Sequence, residues 1–351
     1  MLYNQILMDL QLPGFSDVEA AAQRLAGHVV RTPVLRSPEL DQRAEAEVHV
    51  KCENLQRGGA FKFRGAMNRL LQLTAAERRR GVVAYSSGNH AMAVALAAQE
   101  LGISAALVMP ADAPHAKLDA VRAAGGTVHL YEREGGNREA MAAELVAAED
   151  RVLVPPFDDA QVIAGAGTAA LELLEAVPDL EAVLVPVGGG GLLAGTALAA
   201  HGMRAEIAVY GVEPTAAADA KLSLERGAIM TLASAGRRTT IADGLRTARV
   251  GQLTFPIIRE HAAGIATVAD IQLVEAMRVL LFQLKILAEP SGAAAVAAVM
   301  RGGFPRFRAP FRRVGVVVSG GNLDAEALTG YLATGSDDDL GLEPVPLDVP
   351  N

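Results

Sequence analysis

The chain has 351 residues, of which 51% are hydrophobic and 21% are charged, and its net charge is −8. This composition predicts a folded globular protein of two domains and excludes a disordered one. The acidic balance, without a basic run, argues against a nucleic-acid partner. The sequence contains no bilayer-length apolar run and no secretory signal, so we expect neither a membrane protein nor a secreted one. A single cysteine, Cys52, excludes an internal disulfide and favours a cytoplasmic location.

Short β-branched runs alternate with alanine-rich helical runs along most of the chain. The predicted strands, in chain order, are EVHVKCE, GVVAYSS, SAALVMP, TVHLY, RVLVPP, AVLVPV, AEIAVYGVEP and RVGVVVSGGN. Strands joined by helical crossovers predict an α/β fold with doubly wound parallel sheets. Ligands of such sheets bind beyond the carboxyl ends of the strands. We therefore expect four loops rich in Gly, Ser or Asp to converge on one crevice, at residues 86–89, 155–159, 188–191 and 319–322.

The segment CENLQRGGAFKFRGA places Lys62, one of only five lysines in the chain, between two phenylalanines. Aromatic neighbours shield an amine from water, and a shielded amine loses its charge more easily. Such a lysine is a candidate for Schiff-base chemistry with a carbonyl compound. The local sequence leaves one alternative open, a lysine at a helix start that extends its charged end into solvent.

The segment VPVGGGGLLAG places four glycines between a predicted strand and a predicted helix. Their N–H groups can point at an anion, and the helix dipole adds to the attraction, so the turn suits a single phosphate. The same segment fits a dinucleotide fingerprint, with Gly189, Gly191 and Ala194 in the pattern and Glu213 at the position of a ribose partner. A nicotinamide-dependent dehydrogenase therefore stays an alternative.

The segment YSSGNHA repeats this arrangement at a second strand end. Ser86, Ser87 and Asn89 offer hydroxyl and amide donors beside a helix N-terminus, where a substrate carboxylate would fit. The alternative is an ordinary helix cap with His90 facing solvent. The segment VVVSGGN forms a third polar cluster at a strand end.

Taken together, GGAFKFRGA, SSGNHA, VGGGGLLAG, EPSGA and VSGGN resemble, in this order, the fold-type II pyridoxal-phosphate (PLP) enzymes, whose fold is that of the tryptophan synthase β-subunit. Within that group the chain is similar to the serine/threonine dehydratases and serine racemase. The resemblance covers residues 30–332. It implies a homodimer whose large PLP-binding domain comprises residues 1–75 and 159–335. A small substrate-side domain would comprise residues 76–158, and residues 336–351 would form an acidic tail.

The resemblance also implies a role for individual residues. Lys62 would form the Schiff base with PLP. The other implied cofactor contacts are Phe61 and Gly244 on the two faces of the ring, Asn89 at the ring hydroxyl, Ser319 at the ring nitrogen, and the amides of Gly188, Gly189, Gly190, Gly191 and Leu192 at the phosphate. The implied substrate contacts are Ser86, Ser87, Asn89, His90 and Arg138. A serine hydroxyl cannot keep the ring nitrogen protonated, which favours elimination over transamination.

The implied activity is that of an ammonia-lyase that converts L-threonine or L-serine to a 2-oxo acid and ammonia, with Lys62 removing the α-proton. Three other interpretations stay open within the resemblance. Arg138 aligns with an arginine that faces acidic ligands, which raises 3-hydroxyaspartate as a substrate. Ser87 aligns with the serine that protonates the opposite face in racemases. A non-catalytic PLP carrier is the third.

The segment GVEPTAAADA carries a metal hypothesis. Glu213, the Ala217 carbonyl and Asp219 match the divalent-cation site of the serine racemase branch, and such oxygen ligands suit Mg²⁺, Mn²⁺ or Ca²⁺. The alternative is a solvated acidic loop. One departure from the family pattern lies in the lysine motif, where Ala60 replaces the serine of the commoner Thr-Gly-Ser-Phe-Lys form and offers no hydroxyl.

Overall fold

The structure, a computed structural model, describes residues 11–86, 88–113, 115–132, 136–232, 240–300 and 311–335. These residues form ten strands: β1 (Val34–Leu35), β2 (Glu47–Cys52), β3 (Val82–Tyr85), β4 (Ala105–Pro110), β5 (Thr127–Tyr131), β6 (Val152–Leu153), β7 (Ala182–Pro186), β8 (Ala208–Pro214), β9 (Gly264–Val268) and β10 (Arg313–Val318). The α-helices among them are α1 (Phe15–Leu25), α2 (Pro38–Ala44), α3 (Lys62–Leu71), α4 (Ala75–Arg80), α5 (Asn89–Leu101), α6 (His115–Ala123), α7 (Arg138–Glu149), α8 (Ala160–Ala176), α9 (Gly191–Met203), α10 (Asp219–Arg226), α11 (Thr254–His261), α12 (Asp270–Phe282), α13 (Pro290–Val299) and α14 (Ala325–Ala333).

The larger sheet has six strands in the order β1-β2-β10-β7-β8-β9. All of its neighbouring strands are parallel except β1 and β2. Its central strands are runs of valine, leucine and alanine, and every residue of β7 is buried. Such continuous apolar runs need cover on both faces. Helices α12 and α13 pack on one face, and α8 and α9 pack on the other. The predicted α/β fold with parallel sheets is confirmed.

The two outer strands of this sheet, β1 and β9, are absent from the strands predicted from sequence. β1 has two residues, and four of the five residues of β9 are only partly buried. An edge strand buries less side-chain surface than a central strand, so its hydrophobic pattern is weaker.

The smaller sheet has four parallel strands in the order β5-β4-β3-β6. Its strand β4 is fully buried, and α5 ends, as predicted, before Gly102, which adopts the left-handed conformation with φ +65°. The sheet lies within residues 82–153, inside the predicted small domain. The domain boundaries themselves stay a prediction, and the predicted tail lies outside the described residues.

Glycines bring α8 and α9 into close contact beside the larger sheet. A Cβ added to Gly167 would lie 2.6 Å from the Gly195 carbonyl oxygen, and a Cβ on Gly195 would lie 2.4 Å from the Ile163 carbonyl oxygen. Any larger side chain would force the helices apart. This contact fixes the start of α9, and with it the four-glycine turn.

Parallel strands carry their carboxyl ends to the same edge of a sheet. The loops after β3, β6, β7 and β10 therefore meet in one cleft between the two sheets, as predicted. Within the part of the chain that the structure describes, no helix is long and apolar enough to cross a membrane.

Candidate active site

The cleft has a volume of about 950 Å³, its open mouth included. The structure brings most of the predicted site residues together here. The predicted residues that line it are Phe61, Lys62, Ser86, Asn89, His90, Arg138, Gly188, Gly189, Gly190, Gly191, Leu192, Gly244 and Ser319. Ser87, predicted as a catalytic and substrate-binding residue, lies outside the described residues.

Lys62 lies at the bottom of the cleft as the first residue of α3. Its Nζ donates a hydrogen bond to the Pro156 carbonyl at 2.6 Å and lies 5.0 Å from the centre of the Phe61 ring. Burial lowers the pKa of Lys62 to about 8, and the positive charge of Arg138 contributes to the same shift. A lysine with this pKa is partly neutral near physiological pH and can act as a nucleophile or base. The alternative of a charged end extended into solvent is wrong.

The residues next to Lys62 are held by backbone contacts. The Phe61 N–H donates to the Ser319 carbonyl at 3.0 Å. Ala60, which stands where the commoner family form has serine, is 2% exposed and forms an isolated bridge with Gly320. Ser319 is also buried, and it lines the cleft at the carboxyl end of β10. These contacts join the Lys62 segment to the residues that follow β10, one of the two central strands of the larger sheet.

A buried ion-pair network anchors α3 behind the cleft. Arg64 is fully buried and donates two hydrogen bonds to Glu53 and two to Glu172, at 2.7–2.8 Å. The Lys51 ammonium donates to the same Glu172 at 2.6 Å. Two cations and two carboxylates thus compensate one another in a mostly buried site, where only Glu172 is partly exposed, and the network fixes the helix that begins at Lys62. Sequence reasoning missed it, because its members lie as far as 121 residues apart.

The conformation of the four-glycine turn is compatible with an anion site. Gly190 has φ +93°, and a Cβ on Gly189 would lie 2.2–2.3 Å from atoms of the Phe157 ring. Among the described residues, no protein acceptor takes the N–H groups of Gly188 to Leu192. The turn itself is held from behind, since the Gly189 carbonyl accepts from the Thr254 hydroxyl at 2.8 Å. Backbone donors left open at a helix N-terminus fit a phosphate group.

Asn89, which also lines the cleft, is held between two side chains. Its Nδ2 donates to Glu289 Oε1 at 2.6 Å, and its Oδ1 accepts from Asn322 Nδ2 at 2.8 Å. Burial, followed by the charge of Asp243, raises the pKa of Glu289 to about 8, so this carboxyl is mostly protonated at neutral pH. Asn89 retains a second amide hydrogen for a ligand. Glu289 belongs to the EPSGA motif, but the sequence alone assigned it no role.

His90 is buried and does not face solvent, so the interpretation of this segment as an ordinary cap with an exposed histidine is wrong. His90 is 1% exposed, and its Nε2 donates to the Val154 carbonyl at 2.9 Å. Burial and the charge of Lys62 lower the pKa of His90 to about 3. The ring is therefore neutral, and its Nδ1, which has no partner among the described residues, is a hydrogen-bond acceptor.

Two cations lie on the side of the cleft that the smaller sheet forms. Lys117 lies 3.1 Å from Asp243, which belongs to the loop before α11, so this ion pair crosses the cleft. Arg138 begins α7, and its guanidinium lies 5.5 Å from the centre of the Tyr85 ring. Among the described residues, no carboxylate pairs with Arg138. Lys117 and Tyr85 were not predicted as site residues, although Lys117 is one of the five lysines.

The predicted metal ligands lie outside the cleft. Glu213, Ala217 and Asp219 are all fully buried, so the alternative of a solvated loop is wrong. The two Glu213 carboxylate oxygens accept the N–H groups of Ala220 and Lys221, both at 2.9 Å. Burial, followed by the charge of Asp219, raises the pKa of Glu213. Two adjacent buried acids repel each other, and a cation would relieve this repulsion.

The dinucleotide interpretation fails at the same residue. Glu213 does not line the cleft, and both of its oxygens are occupied by the first turn of α10. A ribose in the cleft would have no access to it. Among the described residues there is no cluster of three or more His, Cys, Asp or Glu side chains that could hold a metal, and the predicted set has only two carboxylates.

These features together define a site for pyridoxal phosphate: an amine of lowered pKa, backbone N–H groups that are open to a phosphate, and a serine at the end of β10. The profile of the family described as "Pyridoxal-phosphate dependent enzyme" matches residues 25–320. The chain belongs to this family, and its fold is that of the fold-type II members, as the sequence resemblance implied.

Individual relatives extend over almost the whole chain. An L-threo-3-hydroxyaspartate ammonia-lyase from a Pseudomonas species is 46% identical over 92% of this chain and 99% of its own. A serine racemase from Schizosaccharomyces pombe is 43% identical over 93% of this chain and 99% of its own. The structure of maize serine racemase superposes with a TM-score of 0.87 at 38% identity, covering 91% of this chain and 96% of that one.

Proposed function

We propose that the chain is a PLP-dependent ammonia-lyase that converts a β-hydroxy amino acid to a 2-oxo acid and ammonia. The observation that carries this proposal is the position of Lys62, whose amine has a pKa of about 8 and lies in the same cleft as the open N–H groups of the four-glycine turn. Ser319 supports elimination, because its hydroxyl does not protonate a ring nitrogen. Relatives that include an ammonia-lyase support it further.

The residues of the chain have distinct roles in this reaction. Gly188 to Leu192 would hold the cofactor phosphate, Asn89 and Ser319 would orient the ring, and PLP when bound supplies an electron sink for the α-carbon. Neutral Lys62 takes the proton from the substrate α-carbon. Loss of the β-hydroxyl as water, followed by hydrolysis, gives the 2-oxo acid and ammonia. Ser86 and the N-terminus of α5 would bind the α-carboxylate.

Arg138 favours 3-hydroxyaspartate over threonine and serine as the substrate. The α-carboxylate already has donors at the start of α5, so a further cation is surplus for a neutral side chain. A β-carboxylate needs such a partner, and an arginine without a described carboxylate partner lines the cleft to meet it. Two relatives are L-threo-3-hydroxyaspartate ammonia-lyases, 46% and 42% identical to this chain.

The test is a substrate panel of 3-hydroxyaspartate, threonine and serine, scored for 2-oxo acid and for D-isomer, with wild type and two variants. We expect Arg138→Ala to lower kcat/KM for 3-hydroxyaspartate at least about tenfold more than for threonine, roughly 1.4 kcal/mol of transition-state stabilisation. Lys117→Ala is the matched control, since it also removes one cleft cation, but one that is already paired with Asp243. Its effect should be similar for every substrate.

Three results would contradict this function. A wild type that forms no 2-oxo acid from any of the three amino acids would refute the lyase. If the wild type does not convert 3-hydroxyaspartate, the substrate would be threonine or serine. The same conclusion would follow if Arg138→Ala lowered activity equally on all substrates. D-isomer as the main product would make the protein a racemase.

We also propose that Glu213, the Ala217 carbonyl and Asp219 bind Mg²⁺, Mn²⁺ or Ca²⁺. A cation that binds only the folded state stabilises it, so a chelator should lower the melting temperature and added cation should restore it. Glu213→Gln should make the melting temperature insensitive to chelator. A wild type that is itself insensitive would refute the site.

The assembly and location that we propose are a homodimer in the cytoplasm. A homodimer predicts a mass in sedimentation of about twice the 36.5 kDa of one chain, and a species of chain mass would refute it. The cytoplasmic location rests on the single buried cysteine, Cys52, and fractionation of cells that express the protein tests it.

A further inference from the structure

Tyr85 is a cleft residue to which the proposed reaction gives no role. It is the last residue of β3 and lies two positions after Val83, so both side chains point to the same face of the smaller sheet. There the Tyr85 ring packs against a buried cluster of Val83, Ala106, Val108 and Ala142, which belong to β3, β4 and α7. The ring is only half-buried, and it also lines the cleft. One side chain therefore joins the core beneath α7 to the substrate space.

Arg138 is held from two directions. Its backbone is fixed at the start of α7, where the Asn137 side chain accepts hydrogen bonds from the N–H groups of Glu139 and Ala140 at 2.9 and 3.1 Å. Its guanidinium carbon lies 5.5 Å from the centre of the Tyr85 ring, within the range of a cation–π contact. The helix cap thus places the residue, and the aromatic ring places its charged end.

The contact with the Tyr85 ring matters because other groups around the Arg138 guanidinium disfavour a positive charge there. The N-terminus of a helix carries partial positive charge, which disfavours arginine in the first turn. Lys62 is a second cationic group of the same cleft, and it is close enough for the charge of Arg138 to lower its pKa. Among the described residues no carboxylate forms an ion pair with Arg138, although the charges of Glu139 and Asp158 also reach Tyr85, and the Tyr85 ring is a described group in direct contact with the guanidinium.

We propose that Tyr85 is a positioning residue for substrate choice, because its ring holds the Arg138 guanidinium where the distal carboxylate of an acidic substrate binds. This inference rests on the proposed function of Arg138. A mobile arginine side chain loses conformational freedom each time it binds a carboxylate, and that loss weakens binding. A guanidinium already ordered on an aromatic face avoids most of the loss. The ring face carries the contact, so the phenol hydroxyl is not required.

Two substitutions separate this role from simple packing. Tyr85→Leu keeps an apolar side chain beneath α7 but removes the aromatic face, and Tyr85→Phe keeps the face but removes the hydroxyl. We expect Tyr85→Leu to raise KM for 3-hydroxyaspartate about fivefold, with kcat within about twofold and with threonine and serine kinetics unchanged. Tyr85→Phe should stay within about twofold of wild type for all three substrates.

Binding without turnover provides the second measurement. Succinate has two carboxylates and butyrate has one on a carbon chain of the same length, so calorimetry of both with the PLP-loaded enzyme isolates the distal carboxylate. We expect Tyr85→Leu to weaken succinate about fivefold and to leave butyrate unchanged, and Tyr85→Phe to bind both as wild type does.

The outcomes distinguish this inference from the proposed reaction. A Tyr85→Leu variant with wild-type preference for succinate, or with equal losses for all ligands, overturns the role of Tyr85 and leaves it a packing residue. A wild type that prefers succinate through Tyr85 but eliminates no amino acid overturns the ammonia-lyase and supports the positioning role.

Discussion

The two walls of the cleft are built differently. The wall that the larger sheet carries includes a site made of backbone, the N–H groups of Gly188 to Leu192, in a turn where Gly190 has φ +93°. The wall that the smaller sheet carries offers side chains, those of Ser86, His90, Lys117 and Arg138. Lys62 lies where the two walls meet, with its Nζ bonded to the Pro156 carbonyl.

This difference indicates that the two walls bind different parts of the cofactor and substrate. A backbone site is rigid and tolerates little change, since a single methyl group on Gly189 would overlap the Phe157 ring. It suits a phosphate, which is the same in every turnover. A side-chain wall can change its charge or size by one substitution without moving the backbone, so it suits the part of the substrate that varies. We expect variants of the first wall to lose the cofactor and variants of the second wall to change selectivity.

The largest effect should come from Lys62, where the walls meet. Lys62→Ala would remove both the proposed covalent attachment and the proposed base, and kcat should fall at least about 1000-fold. Borohydride treatment of the wild type should fix a pyridoxyl group on Lys62, identified by peptide mass mapping. Label on any of the other four lysines, or on none, would show that the chemistry lies elsewhere.

A smaller effect should come from the backbone wall. Gly189→Ala places a Cβ 2.2–2.3 Å from the Phe157 ring, so the turn must shift and PLP affinity should fall at least about tenfold. Absorbance titration of the apoenzyme with PLP measures this affinity. Gly330→Ala is the matched control, because no atom lies within 4 Å of the added Cβ, and it should bind PLP normally. Equal affinities in the two variants would mean that the turn is not the phosphate site.

The smallest effect should be electrostatic, and it should act from a residue of one wall on Lys62, where the walls meet. Arg138 contributes to the lowered pKa of Lys62, so Arg138→Ala should raise this pKa above about 8, since less repulsion opposes the protonated amine. When the rate of PLP binding to the apoenzyme is measured against pH, the midpoint of the curve should therefore move to higher pH. An unchanged midpoint would show that burial alone sets the pKa.

The same shift predicts how the stability of the apoenzyme depends on pH. Lys62 has a lower pKa in the folded chain than the 10.5 of a free lysine, so between about 8 and 10.5 the unfolded chain binds more protons. Its contribution to the free energy of unfolding therefore rises with pH across this window. Lys62→Met should flatten that part of the curve in thermal melts, and an unchanged slope would contradict the lowered pKa.

Local sequence predicted the glycine turn itself, and its use as a phosphate site stays a prediction. Four consecutive glycines after a valine-rich strand predicted an anion turn, and that turn has the open N–H groups of such a site. Lys62 between two phenylalanines predicted a shielded amine, and its pKa is lowered by burial. Strand and helix periodicity predicted the parallel α/β fold, and missed mainly the edge strands β1 and β9, whose pattern is weak.

The side-chain wall was harder to predict, as His90 and Tyr85 illustrate. The segment YSSGNHA permitted either a solvent-facing or a buried histidine, and only packing against the strand end at Val154 decided between them. Tyr85 carried no motif at all. Its contact with Arg138 joins two residues more than fifty positions apart, and neither local segment predicts this contact.

The sequence by itself thus determined most of the strands, the glycine turn and the candidate lysine, because backbone conformation and shielding by adjacent residues are local properties. Only the tertiary structure decided which polar side chains meet: Asn89 with Glu289, 200 positions apart, and Lys117 with Asp243, 126 positions apart. The pKa of a buried group depends on its partners and on the depth of its burial. The partners and the depth of burial are both set when the two sheets pack around one cleft, and neither can be predicted from a single segment.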